Sequence, residues 1–109
     1  MTSRSLGEFE RNVLLAVHNT VDAAYGTPIV EELEKLTLRE ISFPAVYTTL
    51  RRLEDKGLLA SSMGESTPQR GGRAKRYFRL TSAGEKTLNE ALLLLRRIAL
   101  SPGLVRSNA

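Results

Sequence analysis

Between Ser42 and Arg52 the chain places Ser42, Ala45, Tyr47, Thr48, Thr49, Arg51 and Arg52, a run of small, hydroxylated and guanidinium side chains. Hydroxyls and arginines at such spacing are suited to the edges and backbone of a nucleic-acid duplex. Thr can touch base edges or a thymine methyl, and Arg can reach guanine or phosphate. A second group follows at Arg70, Arg73, Lys75, Arg76 and Arg79, interleaved with Gly71 and Gly72. Glycine lets backbone approach a phosphate closely, and guanidinium pairs with phosphate oxygens in fork geometry.

The second group carries the protein's charge. From Ser66 to Gly84 there are five of the sixteen Lys and Arg and none of the twelve Asp and Glu, so the other ninety residues together carry −1. The net +4 is therefore local, and a localised cationic segment implies a polyanionic partner. Charge alone is equally compatible with a solvated loop.

Composition excludes several other chemistries. Length, 109 residues, fits one domain with a modest core, and 41% apolar against 26% charged residues reads as globular. There is no cysteine, which removes disulfides and thiolate metal sites and suits a reducing compartment. Met1 to Leu6 has no basic-then-apolar leader pattern, and Leu92 to Leu95 falls far short of the roughly 18 apolar residues of a membrane helix. A cytoplasmic location is expected. His18 is the single histidine, Asp22 and Asp55 have no evident partners, and Glu31, Glu32 and Glu34 read as a solvated helix start. No catalytic residue, metal site or cofactor is expected.

The elements that must position these residues are mostly helical. Leu6, Phe9, Val13, Ala16 and Val17 recur at helical spacing to about Thr20, with Ser5 available as a cap. Thr27 and Pro28 read as cap and first turn of a second helix, with Ile29, Val30, Leu33 and Leu36 toward the core. A short extended piece is expected over Leu38 to Ile41, then a third helix capped by Ser42 and ended at Gly57. In that helix Val46, Leu50 and Leu53 cluster within about 60° on a wheel, leaving Pro44, Ala45, Thr48, Arg51, Arg52 and Asp55 outward. That outer face is compatible with an ordinary exposed surface or with a groove-reading one. Leu58 to Glu65 and Arg76 to Leu80 then form the arms of a hairpin whose turn contains Pro68, Gly71 and Gly72.

A last helix, capped by Thr81 or Ser82, runs to about Leu100. Leu88, Ala91, Leu92, Leu94, Leu95, Ile98 and Ala99 fill an arc of about 160°, with Leu93 and Leu100 outside it. One domain cannot cover so wide an apolar face, so a second chain is expected on it. The interface is expected to comprise Leu6, Phe9, Val13, Leu88, Ala91, Leu92, Leu95, Ile98 and Ala99. The chain thus divides into a winged helix-turn-helix over 1–81, a dimerisation helix over 82–100 and a flexible tail over 101–109. The class is mainly α with a β-hairpin wing.

The run Ala45-Val46-Tyr47-Thr48-Thr49-Leu50-Arg51-Arg52-Leu53-Glu54-Asp55-Lys56-Gly57-Leu58-Leu59 resembles the recognition helix and following turn of PadR-family transcriptional regulators. Gly71 to Gly84 is similar to that family's wing and the start of its last helix, and Leu6 to Glu10 with Tyr25-Gly26 agrees with its N-terminal half. The resemblance covers about residues 6–100. It implies a homodimeric, DNA-binding regulator, usually a repressor, with the third helix in the major groove of an operator and the wing on adjacent backbone. It further implies base contacts from Ala45, Thr48 and Thr49, backbone or guanine contacts from Arg51 and Arg52, and a phosphate contact from Tyr47, which by its angle on the helix is equally placed for packing. Ser42 joins this surface, and the wing contributes Arg70, Gly72, Arg73, Lys75 and Arg76.

Phe43-Pro44-Ala45 stands where many relatives have glycine, so base preferences do not transfer from them. The chain resembles the short class with one C-terminal helix; a small-molecule effector is left open, its pocket confined to the dimer interface. The alternative reading is a winged helix used for protein or RNA contacts.

Overall fold

A computed structural model describes residues 6–64 and 74–101. Its elements are α1 (Glu8–Asn19), α2 (Gly26–Thr37), α3 (Phe43–Asp55), β1 (Leu59–Met63), β2 (Arg76–Leu80) and α4 (Ser82–Ala99). The two strands pair antiparallel, with Leu59 opposite Leu80 and Ser61 opposite Phe78. This is the expected mainly helical fold with a hairpin.

The core forms where the apolar stripes of the helices converge. Val13, Leu14, Ala16 and Val17 of α1 are buried with Ile29 and Leu33 of α2 and with Val46, Leu50 and Leu53 of α3. Leu59, Phe78 and Leu88 close it from the hairpin and α4. Each such aliphatic side chain contributes on the order of 1.5–3 kcal/mol by leaving water. The core therefore crosses the division expected at 81/82, because Leu88 of α4 lies within it.

Several boundaries follow from local chemistry that differs from the sequence expectation. α1 is capped at Gly7, whose N–H donates to the Glu10 carboxylate at 3.2 Å; Ser5 lies outside the described residues. α2 begins one residue ahead of Thr27, and its cap position, Tyr25, supplies no side-chain bond. No strand forms over 38–41. Leu38 instead ends α2 in a left-handed conformation (φ 57°), and the Ile41 N–H donates to the Glu34 carboxylate at 3.0 Å, which gives the segment a partner without a ladder. Leu36, expected in the core, is 41% exposed. β1 is shorter than expected at both ends, and Glu65 lies outside the described residues.

Ser42 caps α3, accepting a bond from the Ala45 N–H at 3.2 Å, and Gly57 follows the helix at φ +80°, the left-handed conformation expected of it. Thr81 is the α4 cap. Its hydroxyl accepts from the Gly84 N–H at 3.0 Å and donates to the Gly57 carbonyl at 2.7 Å, which fastens the start of α4 to the end of α3. Gly84 packs directly on the Leu58 backbone carbonyl, with no room for a side chain.

Candidate nucleic-acid interface

On α3, Ser42, Ala45, Thr48, Arg51 and Arg52 are exposed, as the wheel predicts. Thr49 is not. At 4% exposure it is a buried polar residue against the core, so the expected base contact from Thr49 is corrected to a packing role. It lies three residues after Val46 and four before Leu53, which places it on the apolar stripe. Tyr47 is half-buried between two rings, 6.0 Å from Phe43 and 6.3 Å edge-on to Phe78. Its ring is part of the joint between α3 and the hairpin.

Arg51 sits with its guanidinium carbon 5.9 Å from the centre of the Tyr47 ring and its Nε 3.6 Å from Glu54. The Tyr47 side chain first, then Glu54 and Asp55, raise its pKa above the ordinary arginine value, so it is a cation at every working pH. Glu54 also reaches the hairpin. It accepts from the Ser61 hydroxyl at 2.7 Å, and Ser61 accepts from the Arg76 guanidinium at 2.9 Å. Arg76 is thus half-buried in a link between strand and helix, and its role is first to join them. Immediately after α3, its C-terminal cap residue Lys56 donates to Glu10 at 2.8 Å.

Lys75 is exposed at the turn end of the strand pair, opposite Gly64. Arg70, Gly72 and Arg73, the other expected wing contacts, lie outside the described residues. The structure therefore pairs Arg51 with Glu54 directly and links Arg76 to the same carboxylate through the Ser61 hydroxyl at the seam of α3 and hairpin, with Ala45, Thr48 and Arg52 outward on the same helix.

The expected dimer residues separate into three groups. Val13 and Leu88 are buried in the chain's own core, at 0% and 3% exposure, and offer a partner no surface; this corrects their assignment to an interface. Leu6, Phe9, Ala91 and Leu92 are half-buried. Leu95, Ile98 and Ala99 are exposed, joined by Leu93, Leu94 and Leu100. A groove of about 410 Å³ runs between α1 and α4 beside them, lined by Leu15, Leu88 and Leu92 among others. Among the described residues no helix is long and apolar enough to cross a membrane, and no cluster of His, Cys, Asp or Glu has metal-binding geometry.

Sequence reasoning alone missed Phe43, Glu54, Ser61 and Tyr25 as parts of this surface. Phe43 is 49% exposed against the Gly26 backbone, and the others act through partners distant in sequence, so no local pattern signals them.

The geometry agrees with comparisons to known proteins. Residues 13–90 match the model of the transcriptional regulator PadR-like family. The chain is 36% identical over 95 residues to the transcriptional regulator Rv3488 of Mycobacterium tuberculosis, covering 84% of each protein. Among solved structures, it is similar to a PadR family transcriptional regulator from Eggerthella lenta (29% identity, TM-score 0.68, covering 93% of this chain and 88% of that one). It is also similar to a PadR-like transcription factor from Bacteroides fragilis (26% identity, TM-score 0.68, covering 83% and 82%). A family match across most of the chain, carried on this helix and hairpin, identifies the protein as a member of the PadR-like family of transcriptional regulators, which are not enzymes.

Proposed function

We propose that the protein is a homodimeric repressor that binds a double-stranded DNA operator. α3 enters the major groove and reads base edges through Ala45 and Thr48, with Arg51 and Arg52 on guanine or phosphate. The wing, through Arg70, Arg73 and Lys75, takes the adjacent backbone. What carries the reading is that the small, uncharged outer face of α3 ends at Arg51, beside the hairpin that bears the chain's excess positive charge. A surface for protein contacts alone has no need of that juxtaposition, and duplex RNA has a major groove that side chains cannot read.

The second copy covers the far half of α4. Exposed Leu93, Leu94, Leu95 and Ile98 on one short stretch form an apolar patch that an isolated chain leaves in water. A dimer built there sets two recognition helices on half-sites roughly 34 Å apart.

The test is binding to duplex DNA and duplex RNA over a salt series, with footprinting on DNA adjoining the protein's own gene. Protection of a two-fold symmetric DNA site, with affinity falling as salt rises, is the expected result. Failure of both duplexes to bind at low salt ends the proposal. Repression is tested by deletion: transcription from the protected promoter rises if the protein represses it.

A further inference from the structure

Hairpin and α2 meet at a joint for which groove reading and dimer formation give no reason. The parity of the ladder turns the Phe78 N–H away from β1, and it donates to the Ala24 carbonyl at 2.8 Å, so β2 has a partner on both edges. One residue further on each side, the rings of Tyr25 and Tyr77 meet edge to face, 5.3 Å apart at 66°. The ammonium of Lys75 lies 4.7 Å from the centre of the Tyr25 ring. The Lys75 carbonyl in turn accepts from the Gly64 N–H at 2.7 Å, which closes the ladder immediately before the wing.

From these contacts we propose that Tyr25 is a positioning residue for the wing: its ring, steadied by Tyr77, fixes where Lys75 presents its charge and the direction in which the hairpin leaves the domain. The proposal rests on the DNA-binding reading above. A free lysine has four rotatable bonds, and its ammonium samples a wide shell. Over an aromatic face the attraction is electrostatic and acts on one side of the ammonium, leaving its N–H donors on the other side for phosphate. The Phe78–Ala24 bond fixes the backbone at the same level, so ring and cation are held relative to α2 and, through the Tyr47–Phe78 contact, to α3. The spacing between groove-reading helix and wing is thereby set before DNA arrives, and ordering that would otherwise oppose binding is already in place.

Two measurements test this on the full chain. In DNA-free protein, the Lys75 side-chain methylene resonances should lie upfield through the ring current of Tyr25. The displacement should persist in Tyr25→Phe and vanish in Tyr25→Leu, with the remaining spectrum kept. In duplex-DNA binding over a salt series, Tyr25→Phe should match wild type. Tyr25→Leu should weaken binding about three- to tenfold and lower the salt slope by about one per subunit. In a Lys75→Met background, Tyr25→Leu should add less than about twofold, because both changes remove the same positioned charge.

Undisplaced Lys75 resonances in wild type, or a Tyr25→Leu protein with the wild-type slope, would overturn the proposal, as would full additivity with Lys75→Met. A wild-type protein that binds no duplex removes the DNA reading and this proposal with it. Normal binding by Tyr25→Leu removes this proposal alone.

Discussion

The two halves of α4 follow one hydrophobic pattern and meet different fates. Leu88, Ala91 and Leu92 lie toward the domain, Leu88 fully buried and the others partly so, whereas Leu95, Ile98 and Ala99 continue the same stripe with exposed side chains. Periodicity is continuous, but the body beneath it ends. The N-terminal half is fastened by the Thr81 cap, by Gly84 on the Leu58 carbonyl and by Leu88 in the core. Among the described residues the C-terminal half has no cap, close-packed glycine or buried leucine of that kind, and it adds Leu93, Leu94 and Leu100 to the exposed apolar surface. A helix's apolar arc thus measures everything the helix packs against, in its own chain or another.

Leu88→Ala should have the largest effect on the fold. Removing a fully buried leucine side chain should cost about 2–5 kcal/mol through lost burial and the cavity left behind. Chemical denaturation would read this as a lower midpoint at unchanged slope. Gly84→Ala should come next, at about 1–3 kcal/mol, because the new methyl meets a backbone carbonyl that can move only with the α3–β1 turn. A stability close to wild type for either would mean that the first half of α4 is as loosely held as the second.

Leu95→Glu and Ile98→Glu should do the opposite. Both side chains are exposed among the described residues, Leu95 at 39% and Ile98 at 50%, so the helical content of the monomer should stay near wild type, and fold stability apart from assembly should change by no more than about 0.5 kcal/mol. For the proposed dimer, mass in solution should fall to that of the monomer, and operator affinity should collapse as the half-sites separate. An unchanged mass would remove the C-terminal half of α4 from the interface.

How far such a division can be read from sequence depends on whether the deciding contact is local. Both caps of α3 and the burial of Val46, Leu50 and Leu53 follow from residues within a turn or two of one another, and all appear as the helical pattern predicts. Thr49 is instructive because its position was legible while its chemistry misled. A hydroxyl on a helix proposed to read DNA invites a base contact, but spacing from Val46 and Leu53 puts it in the core. Val13 and Leu88 were misplaced for a related reason: an apolar stripe does not say which body covers it. The Arg76–Ser61–Glu54 link and the Tyr25–Tyr77 contact join residues 7 to 52 positions apart. Only the folded topology supplies them.

The smallest predicted effect concerns the start of α1, where Leu6 and Phe9 pack against the core but keep part of their surface open. Glu10 sits beside them. Burial raises its pKa, but the hydrogen bond from Lys56, the Gly7 N–H and the charges of Lys56 and Arg52 together lower it further, so the net shift is downward. A carboxyl depressed in the folded state contributes stability that is present above its unfolded pKa, about 4.3, and is lost as pH falls through the folded value. Glu10→Gln should therefore be slightly less stable than wild type near neutrality, with the difference closing below about pH 4. If Leu6 and Phe9 serve the fold, the dimer dissociation constant of Glu10→Gln at neutral pH should equal that of wild type. Should the constant rise while the unfolding midpoint stays fixed, the start of α1 belongs with the outer half of α4, and the interface extends back across the domain to meet it.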